Sequence, residues 1–239
     1  MNDFGLMTVF SLGPGGWGAA MSAATVMTIA VAVTGFVAGA IIGAFGAWAK
    51  ISGGHIVRAV ADGYTTILRG IPDLLVIYLF YFGSSAILTP IGRFLGANGF
   101  LSLPAFFAGA LAIAIVSGAY HTEVFRGAYQ VVSRGEIDAA YATGMSHALA
   151  FRRIIAPLTL RFALPGLSNI WQLVLKESSL VSVTGLVEIL RQAQIGAGST
   201  RQPFTFFLAA AILYLLISCA SGWALQHAER HFTRGLRRG

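Results

Sequence analysis

No charged side chain stands between Asp3 and Lys50, and an uncharged stretch of that length has few stable destinations. About 20 apolar residues in a helix cross the hydrocarbon core of a bilayer, where every backbone polar group must be satisfied within the segment. The stretch, Phe4 to Ala49, is therefore expected to form a membrane-spanning helix with its core at residues 21–45. Later runs of the same character at 74–92, 103–121, 163–185 and 203–226 predict four more crossings. The run at 163–185 contains Lys176 and Glu177, and Pro165 near its start suits the first turn of a helix, where a missing N–H costs little. The expected fold class is an all-α integral membrane protein with five transmembrane helices, one domain over residues 1–239. Only 10% of the residues are charged and mean hydropathy is +0.75, against a charged fraction of about a quarter in soluble domains. A cleaved signal peptide would carry basic residues before its apolar part; only Asp3 precedes this one, so the first helix is expected to be retained.

The basic residues orient the chain. Lys50, Arg58 and Arg69 follow the first span; Arg126, Arg134, Arg152, Arg153 and Arg161 surround the polar segment at 133–157; Arg230, Arg234, Arg237 and Arg238 lie in the tail. These fall on one side of the expected topology, whereas Arg93, Arg191 and Arg201 fall on the other and Lys176 lies within a span. The basic side is cytoplasmic by the positive-inside rule, which puts the N-terminus outside and the C-terminus inside. A net charge of +7 spread between apolar spans rather than gathered on one face argues against a nucleic-acid partner. The single cysteine, Cys219, excludes an intrachain disulfide.

The polar segment has local structure of its own. Ser133 followed by Glu136 fits a capping box, so a helix is expected to start there. Ile137, Ala140, Tyr141 and Gly144 share a face at helical spacing. Gly144 suits the left-handed residue that stops a helix. Ser146 can cap a second short helix carrying Arg152 and Arg153 toward Pro157. Two brief helices joined at a glycine make a compact knob, either for docking into a partner's groove or for resting on the lipid surface through its arginines.

The spacing within that knob resembles the EAA loop of bacterial ABC importer permeases: Glu-Ala-Ala, three residues, Gly, nine residues, then Ile-x-Leu-Pro. Asp138, Ala139 and Ala140 precede Gly144 by the right interval, and Ile154 and Pro157 complete the pattern. Asp138 replaces the family Glu, with a shorter reach, and Ala156 replaces the Leu. Three longer runs, 63–75, 118–129 and 151–186, are similar to permeases of the polar amino-acid uptake family, especially the Q-type subunits of histidine/lysine/arginine/ornithine and opine importers. The resemblance implies a MetI-like permease fold in the bacterial inner membrane, with the knob as a cytoplasmic loop coupled to an ATPase through Glu136, Asp138, Ala139, Ala140, Gly144, Ile154 and Pro157. It also implies a homologous second permease, two copies of a cytosolic ATPase that holds ATP and Mg, and a periplasmic substrate-binding protein. No cofactor is expected in this chain. Which amino acid or opine is carried does not follow from these residues.

Charges at membrane depth mark the expected path. Each costs about 2.5–3.5 kcal/mol at the bilayer centre, so each needs a partner or a function. Lys176 and Glu177 point roughly 100° apart on a helix and cannot share one partner along one face; they face the path or the seam between permeases, or pair with Ser178, Ser179 or another span. Arg69 and Asp73 flank Pro72, which prevents one continuous helix from carrying both. They form either a clamp or a moving gate. Glu123 and Arg126 are helix neighbours, and Glu123 either pairs at the surface or contacts a cationic substrate.

Several chemistries are absent. The only lysines, Lys50 and Lys176, are followed by Ile51 and Glu177, so no GxxxxGK[ST] phosphate loop exists and ATP hydrolysis must lie elsewhere. The chain has no G-x-S-x-G, HExxH or CxxC motif. His55, His121 and His147 are scattered, and His227 with His231 reads as a solvated tail helix rather than a metal centre. Gly35, Gly39 and Gly43 stand at four-residue steps, as close helix packing in lipid requires. Two rival readings remain at this stage, a secondary amino-acid transporter and a membrane assembly protein without an ATPase; five spans do not divide into the matching halves of the first, and the second does not require the EAA spacing.

Overall fold

The computed structural model describes residues 9–232 apart from 14, 97, 98 and 100, and the elements among them are helical. Asp3, Phe4, Arg234, Arg237 and Arg238, used above to bound the first span and orient the chain, lie outside the described residues. In order come α1 (Gly18–Ser52), α2 (His55–Gly70), α3 (Asp73–Phe94), α4 (Ala105–Val131), α5 (Arg134–Ala142), α6 (His147–Ala150), α7 (Ala156–Glu177), α8 (Ile189–Thr200) and α9 (Pro203–Phe232). Pro72 and Pro104, both extended, start α3 and α4, and Pro72 separates α2 from α3 as the sequence predicts.

Among the described residues, four helices are long and apolar enough to cross a membrane: Gly18–Ser52, Asp73–Phe94, Ala105–Val131 and the Pro203–Arg230 part of α9. The run at 163–185 is built differently. α7 ends at Glu177, and Ser178–Thr184 winds as a 3-10 helix that stops at Gly185, where φ is +85°. Ser178, Ser179 and Thr184 each donate to a carbonyl three residues back, which favours the tighter winding over the α-ladder. The expectation for Pro165 is corrected as well. It sits inside α7 rather than in its first turn, because the second helix of the knob does not end at Pro157 but continues through a π-turn at Phe151–Ile155 into α7. A wider turn there relieves the crowding that the Pro157 ring imposes on the carbonyl four residues earlier.

The bundle is organised around α1 against α4. On α1 the buried stripe runs Val31, Ala32, Gly35, Gly39, Gly43, Ala47 and Lys50. A Cβ on Gly35 would lie 2.6 Å from Ile113 Cγ2, and Cβ atoms on Gly39 and Gly43 would overlap Ser117 and His121. The glycine stripe thus brings two backbones together, and the shared contact surface replaces the hydrophobic drive that lipid cannot supply. Val76, Ile113, Val174 and Leu175 from α3, α4 and α7 complete this core.

A second core holds α8 between α1 and α9. Met21, Ile189, Ala193, Phe206 and Ala210 meet there, with the Phe206 ring edge-on to Phe10 and Trp17. Glu188 is fully buried at the start of α8. Its carboxylate accepts from Leu190 N at 2.9 Å, Arg191 N at 2.7 Å and Tyr214 Oη at 2.7 Å, and the neighbouring Ile189 N donates to Thr28 Oγ1. One carboxylate therefore caps α8 and ties it to α9, while the next residue ties it to α1. Outside these cores, Leu75, Leu79 and Phe82 of α3 and Phe204, Leu215 and Trp223 of α9 are exposed, a surface suited to lipid or to another membrane helix.

Candidate functional site

Two regions carry the sequence-predicted residues. In the knob, the Ser133 hydroxyl accepts from Glu136 N and the Glu136 carboxylate accepts from Ser133 N, each at 3.2 Å, completing the expected capping box. At the other end Gly144 has φ +81°; its N–H donates to Tyr141 O at 2.9 Å and Met145 N to Ala140 O at 3.2 Å. That pair of bonds is a Schellman stop. Ser146 then caps α6 by accepting from Leu149 N. Between α5 and the start of α7 lies an open groove of about 630 Å³ whose walls include Glu136, Ala139, Ala140, Ile154 and Pro157. Ala140 is buried against it, Ala139 lines it while remaining exposed, and Asp138 is exposed beside it. Residues up to 21 positions apart in sequence, Glu136 and Pro157, thus share one small concave surface.

The second region is a charged cavity of about 920 Å³ between the end of α1, α2 and α4. Lys50, its side chain 6% exposed, extends the glycine stripe of α1 into the bundle and there meets Asp62 at 2.8 Å, Thr65 Oγ1 at 2.7 Å and Glu123 at 2.5 Å. Glu123 gives its other oxygen to Arg126, at 3.0 Å from Nε and 2.8 Å from Nη2. Three helices are joined by this network, and both carboxylate oxygens of Glu123 are engaged. The helix-neighbour pairing of Glu123 with Arg126 is present; Lys50, Asp62 and Thr65 are additional members that the sequence reading assigned no role.

Arg69 and Asp73 form no ion pair among the described residues. The break at Pro72 turns Arg69 over the ring of Tyr120, 5.5 Å from its centroid, and turns Asp73 toward Glu177. Glu177 is buried, and neither of its carboxylate oxygens has a hydrogen-bond donor among the described residues. Lys176, the preceding residue, is exposed. Ser178 and Ser179 bond to backbone instead of to these charges, so the pairing with neighbouring serines is not what the structure adopts. Tyr120 faces Asp73, Glu177 and Arg69 together and also lines the cavity. Arg69 and Glu123 therefore share a cavity wall, with the Asp73–Glu177 acidic pair adjoining it through Tyr120. Lys176 stands apart.

His121, fully buried, donates from Nδ1 to Ser117 O and packs edge-on against Phe36; its neighbours are aromatic rather than ligating. His227 stacks on Trp223.

Replacing Lys50 by methionine removes the one partner that Asp62 and Glu123 share among the described residues. The loss is expected to be about 2–3 kcal/mol, below the full value for a dry ion pair because Asp62 is half exposed. A fall in the melting temperature of the solubilised Lys50→Met protein, smaller in Lys50→Arg, checks this.

The profile of the family described as binding-protein-dependent transport system inner membrane component matches residues 35–234. Among similar proteins, the octopine transport system permease protein OccQ of Rhizobium meliloti is 57% identical, covering 98% of this chain and 99% of its own length. The nopaline transport system permease protein NocQ of Agrobacterium fabrum is 44% identical over 97% of this chain and 98% of its own. The histidine/lysine/arginine/ornithine transport system permease protein HisQ of Salmonella typhimurium is 36% identical over 89% and 93%. Among solved structures, a chain of an amino acid ABC transporter superposes with a TM-score of 0.75 at 32% identity, over 90% of this chain and 95% of that one. A chain of the inward-facing MetNI methionine ABC transporter superposes with a TM-score of 0.64 at 17% identity, over 91% and 96%, which shows a shared fold.

Proposed function

The chain belongs to the family of binding-protein-dependent transport system inner membrane components, and from that premise we propose how this permease subunit of an ABC importer works and what it carries. Its cargo is an opine or a basic amino acid, the classes named for the octopine, nopaline and histidine permeases it resembles. It crosses the inner membrane five times, with residues 163–185 completing the fifth crossing, its N-terminus periplasmic and its C-terminus cytoplasmic. It pairs with a homologous second permease, along a seam that includes Lys176, and receives cargo from a periplasmic binding protein. Two cytosolic ATPase subunits bind ATP and Mg.

The observation that carries the coupling role is the groove between α5 and α7, which gathers five of the seven expected contact residues beside the exposed Asp138. A knob with a capped start and a Schellman stop is rigid, so motion of an ATPase seated there is passed to α4 and α7 rather than absorbed. ATP-driven closure of the ATPases then shifts the paired permeases between inward-open and outward-open states. Along the path, the Asp73–Glu177 pair offers negative charge to the guanidinium or ammonium of the cargo, next to Arg69 and Tyr120 acting as a gate. Glu123, committed to Lys50 and Arg126, holds the cavity wall in place.

Co-expression with a sister permease, ATPase and binding protein, followed by reconstitution in liposomes, tests this reading. ATP-dependent, vanadate-sensitive uptake is expected; uptake driven by an ion gradient without ATP would overturn it. In the same assay Gly144→Leu is expected to lower uptake at least tenfold while ATP hydrolysis continues, because a side chain at φ +81° is strained and the knob loses its stop. Normal coupling in that variant would remove the knob from the mechanism.

A further inference from the structure

The cavity beside α2 is sorted by charge, and the sorting bears on which cargo passes. Lys50, Asp62, Glu123 and Arg126 form one bonded network whose charges cancel, two positive against two negative. Arg58 and Arg69 remain on the same wall without an ion pair among the described residues. Arg58 donates from Nε to Lys50 O at 3.1 Å, and its terminal nitrogens make no hydrogen bond among the described residues. Arg69 lies over the Tyr120 ring and makes no hydrogen bond among the described residues. Beyond Tyr120 the sign reverses, with half-buried Asp73 beside buried Glu177.

A free basic amino acid carries one carboxylate and two cationic groups. Two uncompensated guanidiniums repel it more than its single carboxylate attracts them. An opine such as octopine joins a carboxyalkyl group to the amino nitrogen of arginine and so carries a second carboxylate. Its two carboxylates suit the arginine-bearing wall of the cavity, where Arg58 and Arg69 stand. Guanidinium forks suit carboxylates geometrically as well as electrostatically.

We propose that Arg58 and Arg69 form a carboxylate subsite on the wall of this cavity, and that the subsite selects cargo bearing a second carboxylate over free basic amino acids. The proposal rests on the importer reading above and concerns its substrate class. Arg58 supplies the selective contact, because it lies outside the acidic pair and outside the Lys50 network's charge balance.

The test uses the complete reconstituted importer with labelled octopine and labelled arginine, each at saturating loaded binding protein, scored as molecules moved per ATP hydrolysed. Arg58→Gln is expected to reduce octopine transport roughly tenfold, the scale of one lost charge-assisted contact, and arginine transport less than twofold. Arg58→Lys, which keeps the charge but not the fork, is expected to fall between Arg58→Gln and the native importer for octopine. Equal losses for both cargoes, no loss for either, or transport of arginine without octopine by the native importer would overturn the subsite while leaving the importer reading intact. A native importer that moves neither cargo would overturn both.

Discussion

A Gly43→Leu permease is expected to disappear from the folded fraction of membrane extracts. A side chain at that position would overlap the Cβ of His121 and lie 2.9 Å from His121 C and Thr122 N. Those are largely backbone atoms of α4, which cannot swing aside as the tip of a flexible side chain can. Relief requires moving α4 away from α1, and with it the Lys50–Glu123 contact two turns further along. The expected cost is about 3 kcal/mol or more, the upper range for overpacking a well-filled core. Gly127→Ala on the same α4 provides the contrast, since a Cβ there meets nothing within 4 Å and the change removes backbone freedom from the unfolded chain. Fluorescence-detected size exclusion after a temperature series should show the first variant lost and the second unchanged or stabilised. Survival of Gly43→Leu at native levels would mean that the α1–α4 contact is looser than described.

Glu188→Ala is expected to be nearly as damaging, for a different reason. The carboxylate, itself fully buried, satisfies two backbone N–H groups at the start of α8 and the Tyr214 hydroxyl. Truncation leaves three donors facing the void of a buried carboxylate, which costs about 3 kcal/mol after allowing for partial relaxation. Glu188→Gln retains one acceptor oxygen and should recover roughly half of that. Tyr214→Phe removes a single donor and should be the mildest of the three. A melting series that ranks them otherwise would show that Glu188 is not the hub of the corner. Loss of α8 docking should also expose the Phe206 pocket, which the same experiment reads as aggregation.

Some features needed only neighbours in sequence. The Ser133–Glu136 capping box and the Gly144 stop are each closed by bonds between residues at most five positions apart, so their geometry is set by local hydrogen-bonding options. Gly35, Gly39 and Gly43 revealed a packing face through their spacing alone. That same spacing held an unused signal: Lys50 lies seven residues after Gly43, two turns along the same stripe, and so had to point into the bundle. Glu188 gave no comparable hint, because Glu is an uncommon helix cap and its third partner, Tyr214, is 26 residues away. Pro165 misled because the boundary of α7 depends on whether a π-turn forms before it.

Residue chemistry and periodicity were sufficient to determine that this chain lives in a bilayer, where it breaks at Pro72, and where its polar knob stands, since each depends on interactions one or two turns long. Charge pairing was decided by tertiary structure. Arg69 and Asp73, four residues apart, turn to different neighbours because the break between α2 and α3 aims them at Tyr120 and Glu177. Lys50 and Glu123, 73 residues apart, meet because glycines bring two helices close enough for a buried ammonium to reach across. Coulomb energy falls with distance in space, and the distances between these groups are set by how the helices pack.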